Sequence, residues 1–488
     1  MAALVLALTL LAPTTVTGGY SSDTAPPDLT TLLAGYNNYW VADGRNDLHG
    51  AVKNASVLQH DDALVVWINQ HATKSEQFLA LQDSEYQNAS NTTYDQSLTV
   101  STGLGSVLSK AYVKGRNSGA LPLTTALINS SDGTSGAYVS TSAAKAYFSH
   151  PRPYLPSDPS TPAVPGDAAG CAPSRANASS EQAIRVGEPY ANSVGNLDIT
   201  RVATVTDTTH QFSPNDVPLD AGYGTTGICL SGSFPSGHTT TAYQAGITLA
   251  TLIPELAPEI LARASENGND RVVLGVHYPL DIVGGRIDGE AALAERWSDA
   301  KYRTEVLEPA RVELLAYLKR ATGHVLAWDI QHEIPYHSNP YGGKKMPGGT
   351  AQIVFNRQSA LAAYTERLSY GFPKSGKQGI PASVPTDASN LLLTTFPKLT
   401  DAQRTSVLAQ TELASGYPLD QTGTANGSWE RLNLAAAMSA TVQLTSNGSV
   451  HVLATGGTAR VIRPPLLHRP PTLWGMPNCL CAGWPSRW

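Results

Sequence analysis

The 488-residue chain is poor in charge: Asp, Glu, Lys and Arg make up only 15% of it, and the formal net charge is −6 with a pI near 6.1. A protein that grips a polyanion over a broad face carries a basic surplus, so a nucleic-acid partner is excluded as the main function. Any positive potential must be local. Long apolar runs are scarce as well. The nearest, residues 242–262, is broken by Pro254, Glu255, Pro258 and Glu259, whereas a membrane helix needs about 20 nearly uninterrupted apolar residues. No integral membrane span is therefore expected. Residues 2–12 are apolar but too short to cross a bilayer, and no Lys or Arg precedes them. They fit the apolar part of a secretory signal, so residues 1–18 are expected to be a signal peptide and the chain to be secreted, extracellular or periplasmic.

Cysteine is nearly absent. Of the four, Cys479 and Cys481 are too close for an easy bridge and have no further ligands nearby for zinc. Cys171 and Cys229 can pair across a long loop, which would contribute roughly 2–4 kcal/mol. Seven Asn-x-Ser/Thr sites, among them Asn54, Asn88 and Asn177, are glycan acceptors only in a eukaryotic secretory pathway. No internal repeat is visible. Gly342-Gly343-Lys344-Lys345 lacks the spacing of a phosphate-binding P-loop. His332-Glu333-Ile334-Pro335-Tyr336-His337 has one residue too many for a zinc-protease helix, and Pro335 breaks that helix.

What is present is a set of three blocks: Lys145-x6-Arg152-Pro153, Pro235-Ser236-Gly237-His238, and Arg271-x5-His277-x3-Asp281. Phosphorus in a dianionic ester repels nucleophiles until its charge is neutralised. Lys145, Arg152 and Arg271 can do this, each charge-assisted hydrogen bond contributing roughly 1.5–3 kcal/mol. Ser236 and Gly237 open a helix whose first N–H groups favour an anion. A neutral imidazole at His277 attacks without adding negative charge, and the resulting phosphohistidine is labile. Asp281 can hold the other ring nitrogen and steady the charge that develops. His238 can protonate the leaving oxygen and then activate water, which predicts an acidic optimum from its ordinary pKa of about 6.5.

These blocks resemble the three-part signature of the type 2 phosphatidic acid phosphatase superfamily, which includes bacterial class A nonspecific acid phosphatases and vanadium-dependent haloperoxidases. Lys145, Arg152 and Pro153 match its first motif, residues 235–238 its second, and Arg271, His277 and Asp281 its third. The resemblance implies a mainly α helical bundle, a metal-independent acid phosphatase acting on small phosphate monoesters, and the same site residues. It implies no cofactor, with vanadate binding as an inhibitor. Under the haloperoxidase alternative the same cations and His277 would hold vanadate as the cofactor. One departure stands out: Asp270 occupies a position where the family often has Ser, so it should weaken anion binding slightly or face solvent. A third possibility, a non-catalytic phosphate-binding protein, has no use for His277, His238 and Asp281.

The pattern along the chain predicts helices within residues 61–117 and 121–129, and one ending at the first motif. Further helices are expected over 239–252 and 258–265, a new one with Pro279 in its first turn, and others over 290–297, 304–322, 355–370, 401–413 and 429–442. Residues 270–276 read as a short apolar piece, 198–206 as a strand, and 440–461 as a β-hairpin around Ser446-Asn447-Gly448. Residues 19–300 would form the helical core and 301–462 a helical extension ending in that hairpin. Residues 463–488 would be a disordered tail. The Pro-, Gly- and Ser-rich insertion at 154–233 either covers the mouth of the site or is a surface excursion.

Overall fold

The computed structural model describes residues 19–24, 26–86, 95–128 and 139–462. The expected signal peptide, the tail with Cys479 and Cys481, and the acceptor Asn88 lie outside them.

The fold is mainly α, with small sheets at its margins. Its longer helices are α1 (Ala55–His71), α2 (Lys74–Glu85), α3 (Ser106–Asn117), α4 (Pro122–Ile128), α5 (Ser142–Phe148), α6 (Gly237–Leu252), α7 (Ala257–Val273) and α8 (Pro279–Ser298). They continue with α9 (Glu308–Thr322), α10 (Leu326–His332), α11 (Arg357–Ser369) and α12 (Asp401–Thr411). Side-chain caps set several starts: Asn54 accepts from Val57 N, Thr73 from Glu76 N, and Ser236 from Thr239 N. Pro279 opens α8, where its missing N–H costs nothing.

The centre of the molecule is α7, every residue of which is buried. α6 packs along it and along α8, with α2 and α11 on other sides. Close approach depends on small residues. A Cβ added to Gly246 of α6 would overlap Ala264 of α7, and one on Gly285 of α8 would meet Ser236 O at 2.5 Å. The helix expected over 258–265 therefore runs on to Val273 and absorbs most of the supposed apolar piece. Its polar residues persist in helix because partners satisfy them: Asn267 donates to Thr99 Oγ1 at 3.1 Å and Asn269 to Tyr341 Oη at 2.7 Å.

Other differences have similar causes. The helix expected to open at Pro279 does so and runs unbroken to Ser298, taking in the stretch expected separately over 290–297. Near the N-terminus β1 (Trp40–Ala42) pairs antiparallel with β2 (Gly50–Val52), and the strand expected over 198–206 is confined to β3 (Val205–Asp207), paired antiparallel with β4 (Val217–Leu219). Residues 429–442 are no single helix: a turn at Trp429–Arg431 precedes Leu434–Ala437, because Asn433 caps a fresh start by accepting from Ala436 N. The hairpin forms from β5 (Thr441–Leu444) and β6 (Val450–Ala454), and β7 (Arg460–Ile462) adds a parallel third strand beside β5.

The C-terminal half wraps the central helices within one hydrophobic core extending from Tyr20 to Val450. Arg367 of α11 donates to Ala262 O at 3.2 Å, and Arg286 of α8 donates to Glu430 O at 2.7 Å. Among the described residues no single helix is long and apolar enough to cross a membrane.

Candidate active site

The first block sits at the end of α5. Ser149, left-handed at φ +42°, ends the helix, and the chain runs on through His150 and Pro151 to Arg152. Lys145, in the last turn, reaches the loop ahead of the second block, where its Nζ donates to Gly232 O and Ser233 O at 3.0 Å each. Arg152 ties all three blocks together. Its Nε donates to Ser231 O at 3.1 Å, and its Nη1 donates to Val276 O at 3.0 Å and to His277 Nε2 at 3.1 Å. The opposite ring nitrogen of His277, Nδ1, faces Asp281 Oδ2 at 3.0 Å. Asp281 Oδ2 also accepts from Tyr278 N at 2.9 Å, and Ser236 N donates to Asp281 O at 3.0 Å. Arg271 comes from the last turn of α7 and donates to Ser84 Oγ.

A guanidinium only donates, so Nε2 of His277 must present its lone pair and Nδ1 must carry the proton toward Asp281. The same arrangement holds the ring neutral. Burial, then Arg152, Lys145, Arg271 and His238, push the His277 pKa well below its ordinary value. His238, half-buried at the start of α6, is pushed the same way by burial, Arg271, Arg152 and Lys145. Burial and Arg152 likewise lower Lys145. The carboxyl of Asp281 rises to about 6 through burial, opposed by His150, the Tyr278 N–H, Lys145 and Arg152. Cations and imidazoles thus crowd one pocket at mutual cost, which an oxyanion among them would relieve. Lys145 and His238 are its more exposed members.

Residues 185–305, which contain the second and third blocks, match the PAP2 superfamily. A PAP2 superfamily domain thus spans residues 185–305 of the chain. An acid phosphatase of Zymomonas mobilis subsp. mobilis is 35% identical over 117 residues, 24% of this chain and 44% of that protein. A non-specific acid phosphatase of Providencia stuartii is 34% identical over 93 residues, 19% and 37% of the two chains. One from Salmonella typhimurium is 38% identical over 64 residues, 13% and 26%. The chain spans less than half the length of each of these relatives.

Against the PAP2 blocks the structure adds several groups. Ser236, fully buried, is occupied as the cap of α6 and through its N–H by Asp281 O. The donors that α6 itself leaves without an intrahelical acceptor are the first N–H groups, from Gly237 and His238 onward. A Cβ on Gly237 would press on Thr141 Oγ1 at 3.0 Å. Asp270 does not face solvent. It is fully buried, and burial together with Glu76, Asp83 and Glu266 raises its pKa well above the ordinary carboxylate range.

The insertion packs beside the third block. Tyr223 donates to Leu274 O at 2.6 Å, and Arg201 lies over the rings of Tyr154 and Tyr223 while Asp167 grips it at 2.8 and 2.9 Å. Cys171 and Cys229 are bonded. Below the bridge lies a cavity of about 270 Å³ lined by Tyr154, Asn196, Ile199 and Arg201. Trp328 is stacked between His324 and His332 on an exposed face. Glu333 of the rejected zinc pattern caps α3, accepting from Val107 N at 2.6 Å and Leu108 N at 3.1 Å.

Residue patterns pointed to neither Ser84, Ser233, His150 nor Glu181. His150 lies inside the first block and Ser233 two residues before Pro235, so only their proximity to the motifs hinted at a role.

Proposed function

We propose that the chain is a secreted, metal-independent acid phosphatase that hydrolyses phosphate monoesters through a phosphohistidine on His277. The observation that carries this reading is His277 held neutral between Arg152 and Asp281, with Nε2 bearing the lone pair. The names of the relatives support the reaction class. The bonded cysteines and the apolar N-terminal run support an oxidising compartment.

A phosphate dianion settles among Lys145, Arg152 and Arg271 and receives their N–H groups, so Arg152 turns its Nη1 proton from Nε2 to a phosphate oxygen. The freed lone pair attacks phosphorus as the bond to the ester oxygen breaks. His238, recharged by the neighbouring dianion, gives that oxygen its proton. Asp281 stabilises the cationic phosphorylated ring. Water then attacks phosphorus, His238 takes its proton, and the N–P bond returns its electrons to Nε2. The three fixed cations provide the neutralisation that other phosphatases take from metal ions.

The test is hydrolysis of p-nitrophenyl phosphate in the presence of EDTA at pH 5–6, with acid-labile, base-stable phosphate trapped on the protein. His277→Ala should abolish turnover and trapping, and vanadate should inhibit. Full turnover by His277→Ala, or activity confined to halide oxidation with added vanadate and peroxide, overturns the reading.

A further inference from the structure

Behind the His277–Asp281 pair runs a line of buried polar contacts that the three blocks do not account for. Ser233 Oγ lies 3.3 Å from Asp281 Oδ1, the oxygen opposite the one facing His277. Ser233 Oγ is also 3.1 Å from His150 Nδ1, and His150 Nε2 is 2.9 Å from Glu181 Oε1. His150 and Glu181 are each 1% exposed, and Ser233 is fully buried. The line is therefore shielded from bulk solvent along its length.

Counting protons fixes its direction. Ser233 has one hydroxyl proton and two neighbours able to accept it. A carboxylate at Asp281 Oδ1 is an acceptor only, so the hydroxyl donates there and must itself accept from His150 Nδ1. Glu181 accepts on the other side. Both nitrogens of His150 are then donors, which is the imidazolium form. The surrounding charges agree. Arg185 Nη2 is shared among Glu181 Oε2 at 2.7 Å, Asp62 Oδ1 at 2.8 Å and Tyr278 Oη at 2.8 Å. Arg185 thus serves Glu181 and Asp62, while His150 on this count faces Glu181 directly and Asp281 through Ser233, where Lys145 and Arg152 also act on Asp281. Asp61, which accepts from Leu280 N, is raised well above the carboxylate range by burial and Asp281. The remaining faces of His150 are aromatic: Trp40, Tyr36 and Tyr278 meet it edge-on at 4.9, 5.6 and 5.1 Å.

We infer that His150, held as an imidazolium by Glu181 and bridged by Ser233, is a positioning residue that keeps Asp281 ionised and aimed at Nδ1 of His277. It touches neither substrate nor reacting atoms. This rests on the phosphohistidine reading of His277. His150 is among the groups that oppose the burial-driven rise of Asp281. Without the bridge Asp281 holds a proton to higher pH, and a protonated carboxyl no longer fixes the His277 tautomer.

Two measurements test it on the full chain. In the wild type, ¹⁵N-histidine NMR should show both ring nitrogens of His150 protonated at neutral pH; a neutral ring there overturns the inference without reference to turnover. In Ser233→Ala and His150→Gln, kcat should fall about 10–100-fold with KM within twofold, and the acid limb of the kcat profile should move up by about one pH unit. Ser233→Thr, which keeps the hydroxyl, should restore most of kcat and the wild-type limb. A purely packing role would lower thermal stability and leave the limb in place, and that result overturns the inference. Should His150→Gln fail to fold, the smaller change in Ser233→Ala still decides. If the wild type hydrolyses no phosphate ester, the proposed function falls, while the NMR result on His150 stands or falls separately.

Discussion

Arg152 and His277 meet edge to edge, with Nη1 of the arginine 3.1 Å from Nε2 of the imidazole, while Asp281 takes the far nitrogen at 3.0 Å. One partner only donates and the other, ionised, only accepts, so the ring has a single permitted tautomer. Asp281→Asn keeps the shape but can place an NH₂ against Nδ1, favouring the tautomer in which Nε2 carries the proton. We expect kcat to fall on the order of 10³-fold or more with KM little changed. Steady-state kinetics at the pH optimum checks this, and a variant within threefold of wild type would show that Asp281 does not set the tautomer.

His238 and Lys145 both titrate well below their ordinary values, burial being the first cause and neighbouring cations the next. A bound dianion raises both, so binding near neutrality must draw protons from solution. Sulfate is the clean probe because it does not itself titrate in this range. Calorimetry of sulfate binding at pH 7 in buffers of different ionisation enthalpy should give a slope corresponding to uptake of a fraction of a proton. A zero slope would mean that the anion does not sit among these groups.

The chemistry was legible in the sequence where it depends on residue type and spacing, and illegible where distant neighbours decide it. Lys145, Arg152, His277 and Asp281 could be picked out because they fall at fixed spacings in ordered blocks that together supply the cations, imidazole and carboxylate a phosphate needs. The length of α7 could not, since Asn267, Asn269 and Asp270 look like a break until Thr99, Tyr341 and the carboxyls around Asp270 are in view. β7 escaped notice because its parallel partner β5 is reached across an intervening strand. The contact of His150 with Ser233 joins residues 83 positions apart, a distance over which no periodicity carries information.

The bond between Cys171 and Cys229 closes a loop of 58 residues, and Cys229 stands two residues before Ser231, whose carbonyl receives Arg152 Nε at 3.1 Å. The bridge thus steadies the loop onto which both Lys145 and Arg152 are fastened. The paired substitution Cys171→Ser, Cys229→Ser should lower stability by roughly 2–4 kcal/mol. It should also raise KM, because the cations lose their anchorage. Urea unfolding and kinetics on the same preparation test both effects. Unchanged KM with reduced stability would confine the bridge to a structural role.

Buried carboxyls give the fold a pH dependence of definite sign. Asp288 rises to about 8 through burial, relieved only by the Thr240 hydroxyl at 2.9 Å, and its Oδ1 has no partner among the described residues. Glu76 and Glu430 also rise to about 8, again with burial as the first cause. Unfolded, such groups titrate near 4. Between about pH 4 and 8 the folded state therefore binds more protons than the unfolded one. The contribution is fully present below pH 4 and is lost as pH rises through 8, at roughly 1.4 kcal/mol per group per pH unit inside the window. His277 and His238, both lowered, act oppositely and only below about 6.5, where the unfolded state binds the extra protons. From pH 6.5 to 8 the carboxyls act unopposed by these histidines, so the melting temperature should fall steadily across that interval. Asp288→Asn keeps the contact with Thr240 and cannot ionise. Its melting temperature should decline less steeply than that of the wild type and exceed it at pH 8. Parallel slopes for the two proteins would mean that Asp288 is already ionised in the folded chain.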